Sequence, residues 1–540
     1  MQIWRRPFTT SVARLNKNAT VNVKPTALRC AQILQSSKVE GPCRLEDQEV
    51  TVNGFIRSVR KQKTLAFAEL SDGSTIEPLQ AILKPEQAAS LSTGTAVSVS
   101  GIWKACPPGK KQSHELQITD VAVAGASDPE TFPIQKKYQS VDFLRQIPHL
   151  RMRTPLQSLL SRFRSECLFQ LGNVFHSYPH GGFTQVQPPI ITSSDCEGAG
   201  ETFTLMPRGA AADAETEHFF RSPKYLTVSS QLHLEAYAAE LGNVWTLTPV
   251  FRAEKSDTPR HLSEFYMLEA ETNFMSDLDA LTDQVEYLLR DLTRRLYATD
   301  AGKEILSIKR TGESGQDIDP AEAEQSLRQR WSVLMDGPKW HRVTYTKAIE
   351  LLQRAVSEEG SSFEHAPTWD GGLQLEHEKY IVEVLFQGTP VFVTDYPKSI
   401  KPFYMAPSNT RECQVEQSST AGETVACFDL LFPEIAEVAG GSLREHRLPN
   451  IIENMRQYGL IKSRVIENSD TSAPTEALYP HLSPTEDLGH LQWYADLRRW
   501  GSAPHGGFGI GFDRFLGYLS GVSSVRDTVA FPRYFGRADC

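Results

Sequence analysis

VWTLTPVFRAEKSDTPRHLSEFYMLEAETNF, residues 244–274, reads as two strands joined by a charged loop. Side chains on a strand alternate between faces, so Val250, Arg252 and Glu254 share one face of the first strand. Phe265, Met267, Glu269 and Glu271 share a face of the second by the same rule. If the two faces coincide, one surface carries an arginine, an aromatic ring and several carboxylates. A surface strand would simply turn its charges to the wet side, but here both faces mix apolar and charged groups. A ligand with an anionic part, a flat ring and a cationic part explains such a face. ATP and an amino acid together supply all three.

The rest of the chain sets bounds around that hairpin. At 540 residues it holds two or three domains and buries a large core. It lacks the run of about eighteen apolar residues that a membrane-spanning helix needs, so no membrane partner is expected. The eight cysteines are scattered, without a Cys-x-x-Cys pair or zinc spacing, which disfavours a disulfide scaffold and a structural zinc site. Reduced thiols inside a cell fit best. A formal net charge of −10 argues against a nonspecific DNA-coating protein but leaves room for a local basic patch.

Residues 1–39 carry Arg5, Arg6, Arg14, Lys17, Lys24, Arg29 and Lys38 and no acid, with hydroxyl residues between. This composition predicts a mitochondrial presequence cut before Pro25; a disordered basic tail is the other reading. Residues 40–126 alternate in short stretches (49–59, 65–70, 95–102) with turns at Asp72-Gly73 and Gly94. That pattern predicts a small β-barrel. Arg57, Arg60, Lys61 and Lys63 precede Phe67, the combination an OB-fold uses on unpaired bases, with cations for phosphates and a ring for stacking. Phe67 in the barrel core, with the charges on a solvated face, is the alternative. Residues 127–152 are polar and proline-interrupted, a linker or hinge.

Residues 153–540 read as one domain. A helix is predicted over 156–178, then an extended 183–191 whose Pro188-Pro189 restricts it to an edge or an interface. Residues 192–201 are a loop, and 225–237 turn from strand to helix. Helices follow at 277–299 and 345–356, around an exposed polar insertion at 310–330 within 300–340. Short strands are expected at 380–386, 390–394 and 424–431, and 444–500 is largely helical or irregular. The fold class is α+β. Arg514 sits where strand 508–512 becomes a helix, a positive spot suited to phosphate. Gly506, Gly507, Gly509 and Gly511 allow close approach of a ligand. They are not the dinucleotide fingerprint, and there is no Walker A sequence. ATP, if bound, therefore lies on an antiparallel sheet.

Three stretches then match in order. The segment ending GFTQVQPP, FRAE…RHLSEF and GGFGIGFDR resemble motifs 1, 2 and 3 of the class II aminoacyl-tRNA synthetases. With an OB-fold ahead of them, the chain resembles the aspartyl/asparaginyl group over about residues 45–540. ITSSDCEGAGE, VSSQLHLE, RHLSEFYMLEAE, DYPKSIKPFYM, GGSLREHR and VRDTVAFPR are similar to the asparaginyl branch, its mitochondrial members above all.

The resemblance implies residue roles. Arg252 would contact the α-phosphate, Glu254 the adenine end, and Phe265 would stack on adenine. Arg260 and His261 would reach the outer phosphates or the tRNA end. Arg514 would hold the γ-phosphate and cover the base. Glu437 would ligate Mg²⁺, a hard cation that prefers oxygen. Aspartyl members carry a serine three residues further on; here stands Gly440, leaving Ser442 as a substitute ligand. Glu197 and Gln231 would bind the α-ammonium. Aspartyl members also hold a lysine three residues after the glutamine matching Gln231, and here that residue is Leu234. Without it a buried substrate carboxylate is poorly compensated, and a neutral amide suits the site better. Arg444 would donate to the amide oxygen and Glu269 would accept from the amide or the ammonium. In the barrel, Arg57, Phe67 and Gln80 would read the anticodon.

The implied reaction is two-step: asparagine and ATP give an asparaginyl-adenylate, then the group passes to tRNA(Asn), in the mitochondrial matrix. A homodimer through residues near 156–191 is implied as well. Aspartate in place of asparagine, a non-catalytic RNA-binding paralogue, and a tRNA-independent amide-forming enzyme are the alternatives.

Overall fold

The computed structural model describes residues 27–39, 44–110, 112–135, 137–193, 202–206, 218–308, 319–408, 422–463 and 479–540. The chain divides after Lys137 into two compact units.

In the first unit β1 (Glu49–Lys61), β2 (Ala66–Ser71), β3 (Leu79–Leu83), β4 (Ala96–Ala105) and β5 (His114–Gly125) close into a barrel in the order β1-β2-β3-β5-β4. Alternation sends Val50, Val52, Ala66, Ala68, Leu70 and Leu79 inward. Phe67, between two inward alanines, is half-buried on the outer face and is not part of the core. The Arg60 guanidinium lies 5.2 Å from its ring centroid. Gly73 and Gly94 make the predicted turns with φ of 78° and 90°.

The barrel begins earlier than expected. Leu28 bridges to Val52, and the helix Cys30–Ser36 places Cys30 and Ile33 in the barrel core. Asp72 accepts from the Arg29 side chain and the Cys30 amide. The expected boundary at residue 40 is therefore corrected to residue 28 or before. An acid-free composition hid a short apolar face, and the expected cleavage before Pro25 lies outside the described residues. Half of the expected hinge is also fixed. Arg151 is fully buried, donating to the carbonyls of Ala530 and Arg526. Arg145 forks onto Asp527 at 3.0 and 2.6 Å.

The second unit is built on β6 (Thr184–Gln185), β7 (Asn243–Phe251), β8 (Glu264–Asn273), β9 (His341–Thr344), β10 (Val391–Pro397), β11 (Thr424–Phe432), β12 (Ala436–Leu443) and β13 (His505–Gly511). They form one sheet in the order β9-β10-β11-β12-β13-β8-β7-β6, antiparallel except at its two edges. The proline-bearing segment supplies β6, an edge strand, as its prolines require. Helices Pro155–His176, Leu278–Ala298, Asp300–Ser307 and Pro320–Asp336 pack together. Helix Phe512–Ser520 follows β13 directly.

Three further expectations are corrected. Residues 380–386 are not a strand: helix Leu375–Tyr380 runs into a π turn, Ile381–Leu385. The β-branched run is held helical because Ile381 and Val382 pack into the core. The polar 310–330 region is not merely an exposed insertion. Residues 309–318 lie outside the described ones, but helix Pro320–Asp336 buries Leu327, Trp331 and Leu334, and the Trp331 indole donates to the Leu519 carbonyl at 2.8 Å. That apolar stripe straddles the expected end of the insertion, so composition missed what helical spacing holds. Lastly, β7 stops at Phe251, so Arg252 and Glu254 leave the alternation predicted for them.

Candidate active site

The register of β7, β8 and β13 brings the opening hairpin's two faces together. Phe265 lies opposite Val250 and Met267 opposite Thr248. On the other side of β8, Met267, Glu269 and Glu271 face Gly511, Gly509 and Gly507. Glycine is required there: a Cβ on Gly507 would meet the Glu271 carboxylate at 1.9 Å. Two adjoining cavities open on this floor. The larger, about 490 Å³, is lined by Gln231, Leu234, Glu269, Lys401, Tyr404 and Arg444 among others. The smaller, about 230 Å³, is lined by Glu254, Arg260, His261, Phe265 and Arg514. Arg252, Met267, Glu437 and Gly509 line both, so an arginine and a carboxylate stand at the junction.

The smaller cavity is cationic with one aromatic wall. Beyond the end of β7, the Arg252 amide still donates to Ser263 O at 3.0 Å. This holds its guanidinium 5.6 Å from the Phe265 ring centroid. Arg514, in the first turn of its helix, donates to the Glu437 carbonyl and lies 3.8 Å from the Glu437 carboxylate. Arg260 donates to Ile435 O at 2.9 Å; burial and then the nearby Arg514 charge lower its pKa. His261 meets Ser256 at 2.9 Å and Thr258 at 2.5 Å, and Glu254 at 3.7 Å. Burial lowers its pKa, outweighing Glu254. The loop is tied down by Ser524, which donates to Pro259 O, and by Arg526, which donates to Asp257. Three arginines around a ring suit a polyanion that ends in a flat base.

The larger cavity is polar but internally compensated. Glu269 accepts from the Ser229 hydroxyl at 2.5 Å and the Ser230 amide at 3.0 Å. Arg444, predicted to face a ligand, reaches the cavity wall with its fork already engaged. Its Nε and one Nη donate to Glu271 at 3.1 and 2.9 Å, and the other Nη donates to Ser442 at 2.6 Å. These use three of the five guanidinium N–H groups. Leu234 joins the apolar set of Val186, Ala238 and Val244 and presents no charge. Gln231 lines the cavity and donates to Glu235 at 3.3 Å.

The surroundings of Glu437 differ from the predicted ones. Ser442 is fully buried, with its hydroxyl taken by Arg444; it belongs to the amino-acid end and is withdrawn as a metal ligand. The carboxylates on which Glu437 acts are Glu378 and Asp429. Burial, then repulsion from Glu437 and Asp429, pushes Glu378 up to about 8. Lys401 donates to both Asp429 oxygens, at 2.9 and 2.7 Å. A Cβ at Gly440 would lie 3.3 Å from Asp429 and 3.8 Å from Glu437, so this glycine fronts the same acids. Repulsion among Glu378, Asp429 and Glu437 is only partly relieved by Lys401.

The structure thus gathers Arg252, Glu254, Arg260, His261, Phe265, Glu437 and Arg514 in one cavity, and Gln231, Leu234, Glu269 and Arg444 in the other. Glu197 lies outside the described residues. On the barrel, Phe67 and Gln80 are half-buried on adjacent strands, and Arg57 sits where β1 bulges, donating to Ser71 at 3.5 Å. Sequence reasoning missed Lys401, Asp429 and Glu378, and it placed Glu271 on the shared face without giving it a role. Lys401 lay inside the quoted DYPKSIKPFYM, and Glu271 inside the opening stretch. Asp429 and Glu378 carried no local signal.

An antiparallel sheet with a cationic, aromatic-walled cavity beside a charge-compensated one, following an OB-type barrel in the sequence, defines a class of enzyme. Residues 140–534 match the family described as tRNA synthetases class II (D, K and N). Residues 50–124 match the OB-fold nucleic acid binding domain. The chain belongs to the class II tRNA synthetases of the D, K and N group. Within that group it is similar to the mitochondrial asparagine–tRNA ligase of Saccharomyces cerevisiae, 39% identical over 497 residues, covering 90% of this chain and 92% of the yeast one. The mitochondrial asparagine–tRNA ligase of Schizosaccharomyces pombe is also 39% identical, over 90% of this chain and 94% of its own. Among solved structures, asparaginyl-tRNA synthetase from Pyrococcus horikoshii complexed with asparaginyl-adenylate matches with a TM-score of 0.71 and 26% identity, covering 95% of this chain and 99% of that one. The Entamoeba histolytica asparaginyl-tRNA synthetase, also in complex with asparaginyl-adenylate, gives 0.70 and 25%, over 92% and 97%.

Proposed function

We propose that this protein attaches asparagine to tRNA(Asn) in the mitochondrial matrix, through an asparaginyl-adenylate. The observation that carries the reading is the junction: Arg252 lines both cavities, where the α-phosphate must meet the amino-acid carboxylate. As the carboxylate attacks, negative charge builds on that phosphate, and a fixed guanidinium stabilises it. Pyrophosphate then leaves, and the terminal ribose hydroxyl of tRNA attacks the acyl carbon, loses its proton and takes the asparaginyl group as AMP departs. No side-chain nucleophile is needed; holding the two reactants in contact supplies much of the rate.

Phe265 and Arg514 clamp the adenine, and Arg514, Arg260 and His261 receive the outer phosphates. Glu437 and Asp429, with Glu378 beside them, would hold Mg²⁺, which when bound screens the charge of the phosphates. Gln231 and Glu197 take the α-ammonium. Arg444 uses its remaining N–H groups on the side-chain oxygen, and Glu269 accepts from the amide nitrogen. Leu234 offers a substrate carboxylate no cation, which favours the neutral amide. Arg57, Phe67 and Gln80 meet the anticodon on the outer barrel face. Exposed Leu168, Phe169, Ile190 and Ile191 supply an apolar surface for a homodimer in the 156–191 region.

The test is charging of mitochondrial tRNA with labelled asparagine and, separately, labelled aspartate. Asparagine incorporation is expected; incorporation of aspartate alone, or of neither, would contradict the reading.

A further inference from the structure

Behind Arg444 lies a second set of buried charges that touches neither cavity directly. Glu235, 3% exposed, comes from helix Gln231–Leu241. It accepts from Arg498 at 2.5 Å, from the Tyr494 hydroxyl at 2.9 Å and from Gln231 at 3.3 Å, and meets His505 Nε2 at 3.0 Å. Arg498 also donates to Glu445 O at 3.0 Å, and His505 Nδ1 meets Ala503 O at 2.8 Å. Ligating atoms of Glu235, Glu271 and His505 lie within 4.8 Å of one another. Glu271 in turn holds the Arg444 fork. The two carboxylates therefore form one layer, with Arg444 on the substrate side and Arg498 on the far side.

Such a layer costs a great deal to bury. A carboxylate taken out of water without need would be replaced by an apolar side chain at little loss or some gain. Packing alone does not explain Glu235, and its effect on charge does. Burial would lower the pKa of Arg444, but Glu271 and, behind it, Glu235 outweigh burial and raise it. Burial would raise Glu235, yet Arg498 and His505 outweigh it and hold Glu235 well below the usual carboxylate range. Glu235 is thus ionised, and its field reaches Arg444 in a medium that screens weakly. Even if His505 is counted as a cation, the five cations that line or back this cavity (Arg252, Lys401, Arg444, Arg498, His505) stand against five carboxylates (Glu235, Glu269, Glu271, Asp429, Glu437). No surplus positive charge is left to compensate a substrate carboxylate.

We propose that Glu235 is a specificity-determining positioning residue: as the second buried carboxylate behind Arg444, it cancels positive charge at the amino-acid end and so rejects aspartate in favour of asparagine. This rests on Arg444 facing the substrate side chain. Absence of a lysine at 234 withholds a cation; Glu235 cancels those that remain. Through its bond to Gln231 the same carboxylate also touches a residue that lines the cavity, which couples charge to position.

The experiment is ATP–pyrophosphate exchange on the full-length enzyme, with asparagine and aspartate assayed on one preparation. The ratio of the two kcat/KM values is then independent of the active fraction. Glu235→Gln, nearly isosteric and neutral, is expected to lower the asparagine-over-aspartate ratio roughly tenfold. Tyr494→Phe removes a hydrogen bond from Glu235 without changing charge, and should leave the ratio unmoved. An unchanged ratio in Glu235→Gln, or an equal fall in Tyr494→Phe, overturns the proposal. Should Glu235→Gln give no folded enzyme, Arg498→Gln carries the test with the opposite sign. Removing a cation should raise the ratio about threefold or more, and no change or a fall overturns it. Arg444→Gln separates the premise from the inference. If that variant keeps full asparagine exchange, the amino-acid reading of the cavity fails; if it loses exchange while Glu235→Gln keeps its ratio, only the role of Glu235 fails.

Discussion

The smaller cavity takes Arg252, Glu254, Arg260, His261 and the Phe265 ring from one hairpin and its loop, joined by Glu437, Asp513 and Arg514 from elsewhere in the sheet and its following helix. The amino-acid end draws Glu235, Glu271, Arg444, Arg498 and His505 from five separate segments and buries all of them. One is a half-open cavity with three arginines, which on the proposed reading receives a polyanion. The other is a closed set of matched charges that exists before any substrate arrives. A polyanion brings its own large charge, so a surplus of arginines suffices to attract and place it. Distinguishing an amide from a carboxylate of the same shape needs a potential set in advance, because binding cannot repair an uncompensated buried charge.

Variants at the two ends should therefore fail differently. Arg252→Ala is expected to reduce asparagine-dependent pyrophosphate exchange about a thousandfold by removing charge stabilisation at the α-phosphate, while melting temperature stays near wild type. Exchange that survives largely intact would break the reading of the junction. Glu271→Ala should instead show in the fold: leaving Arg444 buried without its carboxylate costs about 3 kcal/mol or more, measured by chemical denaturation. Phe67→Ala on the barrel should raise the KM for tRNA about tenfold, the loss of one stacked base, with exchange untouched. Phe265→Leu should raise the KM for ATP about fivefold as aromatic stacking is lost, without altering the amino-acid preference. Smallest of all, Glu254→Ala, facing His261 at the open cavity, should move stability by no more than about 0.5 kcal/mol. A stability loss there comparable with Glu271→Ala would erase the contrast between the two ends.

The same contrast explains what could be read in advance. The hairpin's residues lie close in sequence, so alternation on β8 placed Phe265 and Glu269 on one face, and proximity kept Arg252 beside Phe265 although it lies past the end of β7. Leu234 was singled out only because the resemblance supplies a lysine to compare it with, whereas the glycines of β13 were legible because a missing Cβ is a local fact. Glu235, Arg498 and His505 were not, because their meaning exists only where the sheet and two helices bring them within hydrogen-bonding reach. The surroundings of Glu437 show it again: Ser442 is near it in sequence, yet its hydroxyl belongs to Arg444, while Glu378 arrives from a distant helix. In the fold, the π turn at Ile381–Leu385 and helix Pro320–Asp336 were misread for one reason. Burial against other elements decided them, and neither β-branching nor polarity reports that burial.

Asparagine and aspartate, offered separately to the wild-type enzyme in ATP–pyrophosphate exchange, probe both ends at once. Both amino acids need Arg252 and the nucleotide cradle, and only one needs a site without surplus positive charge. Strong exchange with asparagine and little with aspartate is the expected result. Exchange with aspartate equal to or above that with asparagine would contradict the compensated pocket, and exchange with neither would contradict the adenylate-forming junction.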